Sequence, residues 1–226
     1  MVKISIIIPV LNEAAHLGDT LAIAANAPDI ECIVVDAGSL DGTVDIAKTF
    51  DAIVVTANPG RACQMNAGAA IAQGDLLLFL HADTHLPSHY ADLIPVTLAQ
   101  PGIVAGAFDL KIRGTQFGLR WVEWGVYWRS RWCQLPYGDQ ALFLAAETFH
   151  ALGGFPEVPF LEDLMLMRRL RQLGKIAIAP ASVLTSGRRW QQLGVVKTTV
   201  LNQLVLIGYC LGISPRRLAC WYRQVK

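Results

Sequence analysis

Four apolar runs carry the first half of the chain: residues 4–8, 31–35, 52–56 and 76–80. Each is short, rich in Ile, Val or Leu and bounded by polar or small residues, the pattern of strands buried on both faces of a parallel sheet. Between them, apolar positions recur at helical spacing. Leu17, Leu21 and Ala24 give one helix, which Asn12 is expected to cap with Glu13 in its first turn. Residues 44–50 and 62–73 give two more, the last closed by Gly74 at its C-terminal cap. The β-α-β-α-β order implies right-handed crossovers and a doubly wound sheet. Pro9 is expected to end the pairing of the first strand.

Further along the pattern is looser. Residues 89–100 read as a helix broken by Pro101 and Gly102, residues 103–110 as a strand, and residues 141–145 as another apolar strand. Residues 164–173 read as an amphipathic helix stopped by Gly174, and residues 176–179 as a last short strand. Residues 111–131 are irregular, although Trp121, Trp124 and Trp128 follow helical spacing, as core residues, a membrane belt or a sugar platform would. Residues 193–213 are mostly apolar but hold Lys197, Asn202 and Gln203, which makes a spanning helix costly. With Arg188, Arg189, Arg216, Arg217 and Arg223 around it, this stretch reads either as a helix lying on a membrane or partner, or as a terminal helix closing the core.

Composition narrows the class. Length of 226 residues suits one α/β domain with a terminal appendage, and we expect the division at residues 1–190 and 191–226. Hydrophobic residues make up 53% and mean hydropathy is +0.39, so some apolar surface is expected to meet a membrane or partner. Nineteen Lys and Arg against 18 Asp and Glu give no case for nucleic-acid binding. Five scattered cysteines without a CxxC pair point to buried reduced thiols and a cytoplasmic location, with the inner-membrane surface as the alternative. The start of the chain lacks a signal-peptide cleavage pattern.

In open α/β sheets ligands gather outside the carboxyl ends of the strands, so the polar residues there are the candidates. Asp36 follows the second strand directly, and Asp41 lies in the same loop, residues 36–43, which has neither GxGxxG nor GK[ST] spacing. Either carboxylate could accept from a ribose hydroxyl or a base N–H; Asp41 serves equally as a turn or cap residue. His81 and Asp83 stand two apart after the fourth strand and are expected on one face. Asp83 suits Mg or Mn together with phosphate oxygens. A zinc site from His81, Asp83 and His85 is the weaker option, since Pro87 follows. Arg61 and Gln64, one turn apart at a helix start, could reach a phosphate or base, or form a solvated face. Glu162 and Asp163 open a helix, where the N-terminus is expected to hold the anion at a low pKa. Asp163 is then either a cap or a general base.

Several of these pieces together resemble one family. SIIIPVLNE (residues 5–13), VVDAGSLDGT (residues 34–43), GDLLLFLHAD (residues 74–83) and FLED (residues 160–163) resemble the family 2 glycosyltransferases of GT-A fold. Residues 59–66 look like a small bacterial subgroup of unassigned substrate. The resemblance implies a GT-A-type, mostly parallel doubly wound sheet flanked by helices, with a C-terminal helical appendage. It also implies a nucleotide-diphospho-sugar donor, a divalent cation (Mg or Mn), and an acceptor that is lipid-linked or a small molecule. On it, Pro9, Glu13 and Asp36 line the nucleotide pocket, with Asp41, Arg61, Gln64, His81 and Ala82 beside them. Asp83 is the second acid of a DxD motif whose first acid is His81. Asp163 is the base with Glu162 adjacent, Asp139 and Gln140 belong to an acceptor-side segment, and Arg188 of RRW (residues 188–190) clamps the diphosphate. A nucleotidyltransferase would want a glycine-rich, arginine-containing loop after the first strand, which residues 9–13 do not supply. A non-catalytic, membrane-associated protein with a degenerate donor pocket is the other rival.

Overall fold

The computed structural model describes residues 2–225. The first strands and helices alternate as their apolar runs require: β1 (Ile4–Val10), α1 (Ala14–Ala24), β2 (Ile30–Asp36), α2 (Thr43–Thr49), β3 (Ile53–Thr56), α3 (Arg61–Ile71) and β4 (Leu76–Phe79). A two-residue strand, β5 (Thr84–His85), leads to α4 (Tyr90–Leu98), β6 (Ile103–Arg113), α5 (Gly118–Trp132) and a 3-10 turn at Gly138–Gln140. Then come β7 (Leu142–Ala145), α6 (Ala146–Ala151), α7 (Glu162–Leu173), β8 (Lys175–Ser186), α8 (Arg188–Leu193), α9 (Val195–Cys210) and α10 (Pro215–Val225).

One eight-stranded sheet runs β3-β2-β1-β4-β7-β6-β8-β5. Pairings among β1, β2, β3 and β4 are parallel, as is β6 with β8; β7 runs against both its neighbours, and β5 against β8. The expected mostly parallel sheet is therefore present, with two reversed strands, β7 in its middle and β5 at its edge. Side chains alternate across it. Ile4, Ile6, Ile8, Leu78 and Phe143 face a core made with α1, α2, α4 and α5, whereas Ile7, Leu77, Phe79, Leu142 and Leu144 face one made with α3, α6 and α7.

Several local expectations change. Pro9 does not end its strand: pairing continues through Pro9 and Val35 to Val10 and Asp36. Asn12 does not cap α1; it takes a left-handed conformation (φ 55°), and its Oδ1 accepts from the Leu40 amide at 2.8 Å. Gly74 is not a left-handed cap, because α3 ends earlier, at Ile71. It is a point of close approach, where a Cβ would come within 2.7 Å of the Ser5 amide. The final strand spans 12 residues rather than four, since Pro180 falls where the register with β6 shifts, and needs no ladder partner there. The tryptophans lie on a regular helix, α5, rather than an irregular segment. Of the cysteines only Cys32 is buried; all five are free.

Where β6 and β7 cross, Gly106 leaves space that the Phe143 ring fills; a Cβ there would lie 2.3 Å from the ring. Gly106→Ala should cost about 1–3 kcal/mol, read as a lower urea midpoint. Adding Phe143→Leu should recover part of that loss, a non-additive pair that unrelated destabilisation would not produce.

Candidate functional site

The carboxyl ends of β1, β2 and β4 lie side by side, because Val10 pairs with Asp36 and Ile7 with Phe79. Three clusters of polar residues build on them.

The first is the loop after β2. Buried Asp36 accepts from the amides of Gly38 (2.9 Å) and Ser39 (3.1 Å). That turn needs the positive φ of Gly38, 96°, which glycine adopts without steric cost. Asp41 accepts from the amides of Thr43 and Ala14, each at 3.1 Å, and from the Thr43 hydroxyl, as a turn and cap residue does. Those bonds, the Thr43 hydroxyl first, hold its pKa below the ordinary value. Gln64 is likewise committed: its amide nitrogen donates to the carbonyls of Val10 (2.9 Å) and Val35 (2.8 Å), tying the two strand ends together. Ala82 contributes a backbone carbonyl that accepts from Thr20 at 2.7 Å.

The second cluster is an ion-pair relay. Arg188, at the start of α8, donates to both carboxylate oxygens of Glu13 (2.9 and 2.5 Å), and its Nε lies 3.3 Å from Asp83 Oδ2. Burial pushes the Asp83 carboxyl up, an effect that Arg188 opposes. One guanidinium thus joins the start of α1 to the turn after β4, and places a positive charge where an anion can share it.

The third cluster surrounds Asp163. The strand β4 ends at Phe79, so the alternation expected to align His81 with Asp83 does not apply. His81 instead turns toward Gly138, where a Cβ would lie 3.1 Å from His81 Nε2 and 2.6 Å from Asp163 Oδ2. The Gly138 amide donates to Asp163 Oδ2 at 2.9 Å. Asp163 Oδ1 is enclosed and has no hydrogen-bond partner, and the same is true of Asp139 Oδ1. Burial raises the Asp163 pKa to about 7, with the neighbouring Glu162 adding to the rise. The low value expected from a helix N-terminus is overturned, because desolvation outweighs the helix field. Burial also raises Asp139 and Glu162, and drives His81 down to about 3, so its imidazole is neutral. Strained backbone brackets the cluster. Leu161, just before Glu162, has φ 68°, and Ala141, just after Gln140, has φ 51°; such residues gather at functional sites.

Gln140 does not face this space. It is fully buried, accepting from Ser130 (2.9 Å) and Arg129 (3.1 Å) and donating to the Phe108 carbonyl (2.9 Å). Arg61, by contrast, is exposed and forms no ion pair among the described residues. Its charge stabilises the anions of Asp139, Glu162 and Asp163. Arg129, lying 3.7 Å over the Tyr137 ring, supports the 138–140 turn and carried no sequence signal except its place in the last turn of α5.

As a cation site, Asp83 offers one carboxylate, which here pairs with Arg188. That fits Mg or Mn, which commonly take one or two protein carboxylates and complete their shell with phosphate oxygens. A zinc cage does not form: among the described residues no three His, Cys, Asp or Glu side chains converge, and His85 Nδ1 faces Arg113 at 3.1 Å.

Comparisons with known proteins bear on the family and the fold. The family model described as glycosyl transferase family 2 matches residues 5–150. A PGL/p-HBAD biosynthesis glycosyltransferase of Mycobacterium tuberculosis is 37% identical over 132 residues, 52% of this chain and 49% of the relative. An uncharacterised glycosyltransferase of Nostoc is 37% identical over 90 residues, 36% of this chain and 28% of the relative. The chain spans about half the length or less of these curated relatives. Among solved structures, glucosyl-3-phosphoglycerate synthase from M. tuberculosis, in complex with Mn2+, uridine-diphosphate and glucosyl-3-phosphoglycerate, superposes with TM-score 0.66 at 22% identity. That match covers 94% of this chain and 81% of that one. S. aureus TarS 1-349 gives 0.67 at 17% identity, covering 82% and 60%. A Pyrobaculum calidifontis mannosyltransferase in complex with GDP-Man and Mn2+ gives 0.60 at 19%, covering 81% and 56%. At these identities the likeness is one of fold.

Gly138→Ala tests the clustering. The added methyl meets Asp163 Oδ2 and His81 Nε2 and must displace one of them. Turnover should fall at least about tenfold, while circular dichroism stays near wild type and the melting temperature drops only modestly, the cost of overpacking one buried site.

Proposed function

Because the chain belongs to glycosyl transferase family 2, we propose that it moves a sugar from a nucleotide-diphospho-sugar to an acceptor hydroxyl with inversion at the anomeric carbon, and that Asp163 is the base. The observation that carries this reading is the Asp163 carboxylate: one oxygen is fixed by the Gly138 amide, and the other is enclosed with no protein partner. Its pKa near 7 is that of a group able to accept a proton at neutral pH, which a base requires.

The acceptor oxygen attacks the anomeric carbon as its proton passes to Asp163 Oδ1. The bond from that carbon to the diphosphate oxygen breaks, and the electron pair leaves with the nucleoside diphosphate. One base suffices because no covalent sugar intermediate forms. Asp36 and Pro9 border the nucleotide end. Glu13 orients Arg188, whose guanidinium is available to the diphosphate. Asp83 would hold Mg or Mn, which when bound neutralises charge on the leaving group. Arg61 adds positive charge on the same side, and Asp139 faces the acceptor end. The donor class and the divalent cation are supported by the fold neighbours, whose complexes contain uridine-diphosphate or GDP-Man together with Mn2+. We assign this chemistry to residues 1–190 and treat residues 191–226 as a helical attachment.

Asp163→Asn keeps an acceptor for the Gly138 amide but cannot take a proton. Turnover, followed as nucleoside diphosphate release, should drop about 10²–10⁴-fold, while the rise in melting temperature on adding nucleoside diphosphate with Mn2+ is unchanged. Turnover within a few-fold of wild type would remove Asp163 from the mechanism.

A further inference from the structure

The charges of this chain are segregated. Residues 1–163 hold all 18 acidic residues and eight of the 19 basic ones, whereas residues 164–226 hold 11 Lys and Arg and no acid at all. The acid-free third ends in α9 and α10, and its outer surface is apolar. Along α9 and its C-terminal cap residue, Val196, Val200, Leu204, Ile207 and Leu211 recur at steps of three and four and are 46–78% exposed. Thr198, Leu201, Val205 and Gly208 form the opposite, buried face. The exposed stripe is thus a true unpartnered helix face, not a frayed end. Between α9 and α10 lies an open apolar depression of about 410 Å³, lined by Leu204, Ile213 and Trp221 and edged by the exposed Arg217.

The apolar surface continues onto a second helix. Gly118 packs so closely on Val195 that a Cβ would come within 2.8 Å of it, joining the start of α5 to the start of α9. At that junction Phe117 and Trp121 are 82% and 63% exposed.

We propose that this face docks on an anionic lipid bilayer, lying in the interface without crossing it. Three observations select that occupant. The cations Lys197, Arg216 and Arg217 are exposed on the helices that carry the apolar stripe, and the whole segment lacks an acid that a negative surface would repel. Exposed tryptophan beside apolar side chains suits the headgroup level. A second copy of this chain does not fit, because a twofold dimer would set the same cationic surface against itself. Crossing is equally disfavoured: no helix among the described residues is long and apolar enough, and the 16 residues of α9 reach only about 24 Å, less than the hydrocarbon thickness. The proposal is independent of the transfer chemistry.

The test is co-sedimentation of the full chain with vesicles of phosphatidylcholine alone or with about a third phosphatidylglycerol. Binding to the anionic vesicles, weakening as salt rises, and much weaker binding to the neutral ones are expected. Val200→Glu with Ile207→Glu, both on the exposed stripe, should reduce that binding more than about tenfold without changing the melting temperature or nucleoside diphosphate release. Absence of binding to anionic vesicles at low salt overturns the proposal. So does undiminished binding by the double variant, which would mean charge adsorption alone. A concentration-dependent dimer in analytical ultracentrifugation that the same variant abolishes would assign the face to self-association instead.

Discussion

A carboxylate closed off from water beside the 138–140 turn governs the rest of this site. Asp163 is held by the Gly138 amide, approached by His81 through the space a side chain at Gly138 would fill, and preceded by Leu161 in a left-handed conformation. Each feature depends on the others. The turn at Gly138–Gln140 is positioned because β7, which follows it, runs against β4 and β6. The turn is braced from behind by Gln140, Ser130 and Arg129. The enclosure keeps the proton on Asp163 up to about neutral pH, and a group poised there exchanges protons with little driving force in either direction.

Around that carboxylate, polar side chains divide by whether their hydrogen-bonding capacity is already used. Asp41, Gln64, Gln140 and Asn12 are occupied by backbone groups and fix the loops and strand ends they join. Arg61 has no ion-pair partner among the described residues, and the second oxygens of Asp139 and Asp163 have no hydrogen-bond partner. Arg188 stands between the two classes, since the bonds that fix it to Glu13 and Asp83 also orient it. This division separates residues that build from residues that can meet a ligand.

Much of the fold was legible because β1, β2 and β4 are apolar on both faces, and few other arrangements bury such runs. The reversed direction of β7 was not legible, since a strand buried on both faces reads alike either way. Nor was the length of β8, because Pro180 looks like a stop until β6 is seen to shift register beside it. Of the candidate site, Asp36, Asp83 and Asp163 are singled out by where they fall after strands and at a helix start, whereas Arg188 comes only from the resemblance. The direction of the Asp163 pKa could not be read in that way. It is set first by burial, with Glu162 adding to the rise and Arg61 and the Gly138 amide opposing it, and local sequence suggested only the helix N-terminus. Gln64 and Gln140 were misjudged for the same reason: a glutamine near a cleft reads as a ligand contact until its amide is found between two carbonyls.

The most direct measurement is the titration of the Asp163 carboxyl carbon by NMR in the ligand-free protein, assigned by comparison with the Asp163→Asn variant. The account predicts a midpoint near pH 7, so that the group gains its proton as pH falls through neutrality, and a lower midpoint once Glu162→Gln removes the adjacent charge. A midpoint near 4, the value of an ordinary solvated aspartate, unchanged by Glu162→Gln, would contradict it.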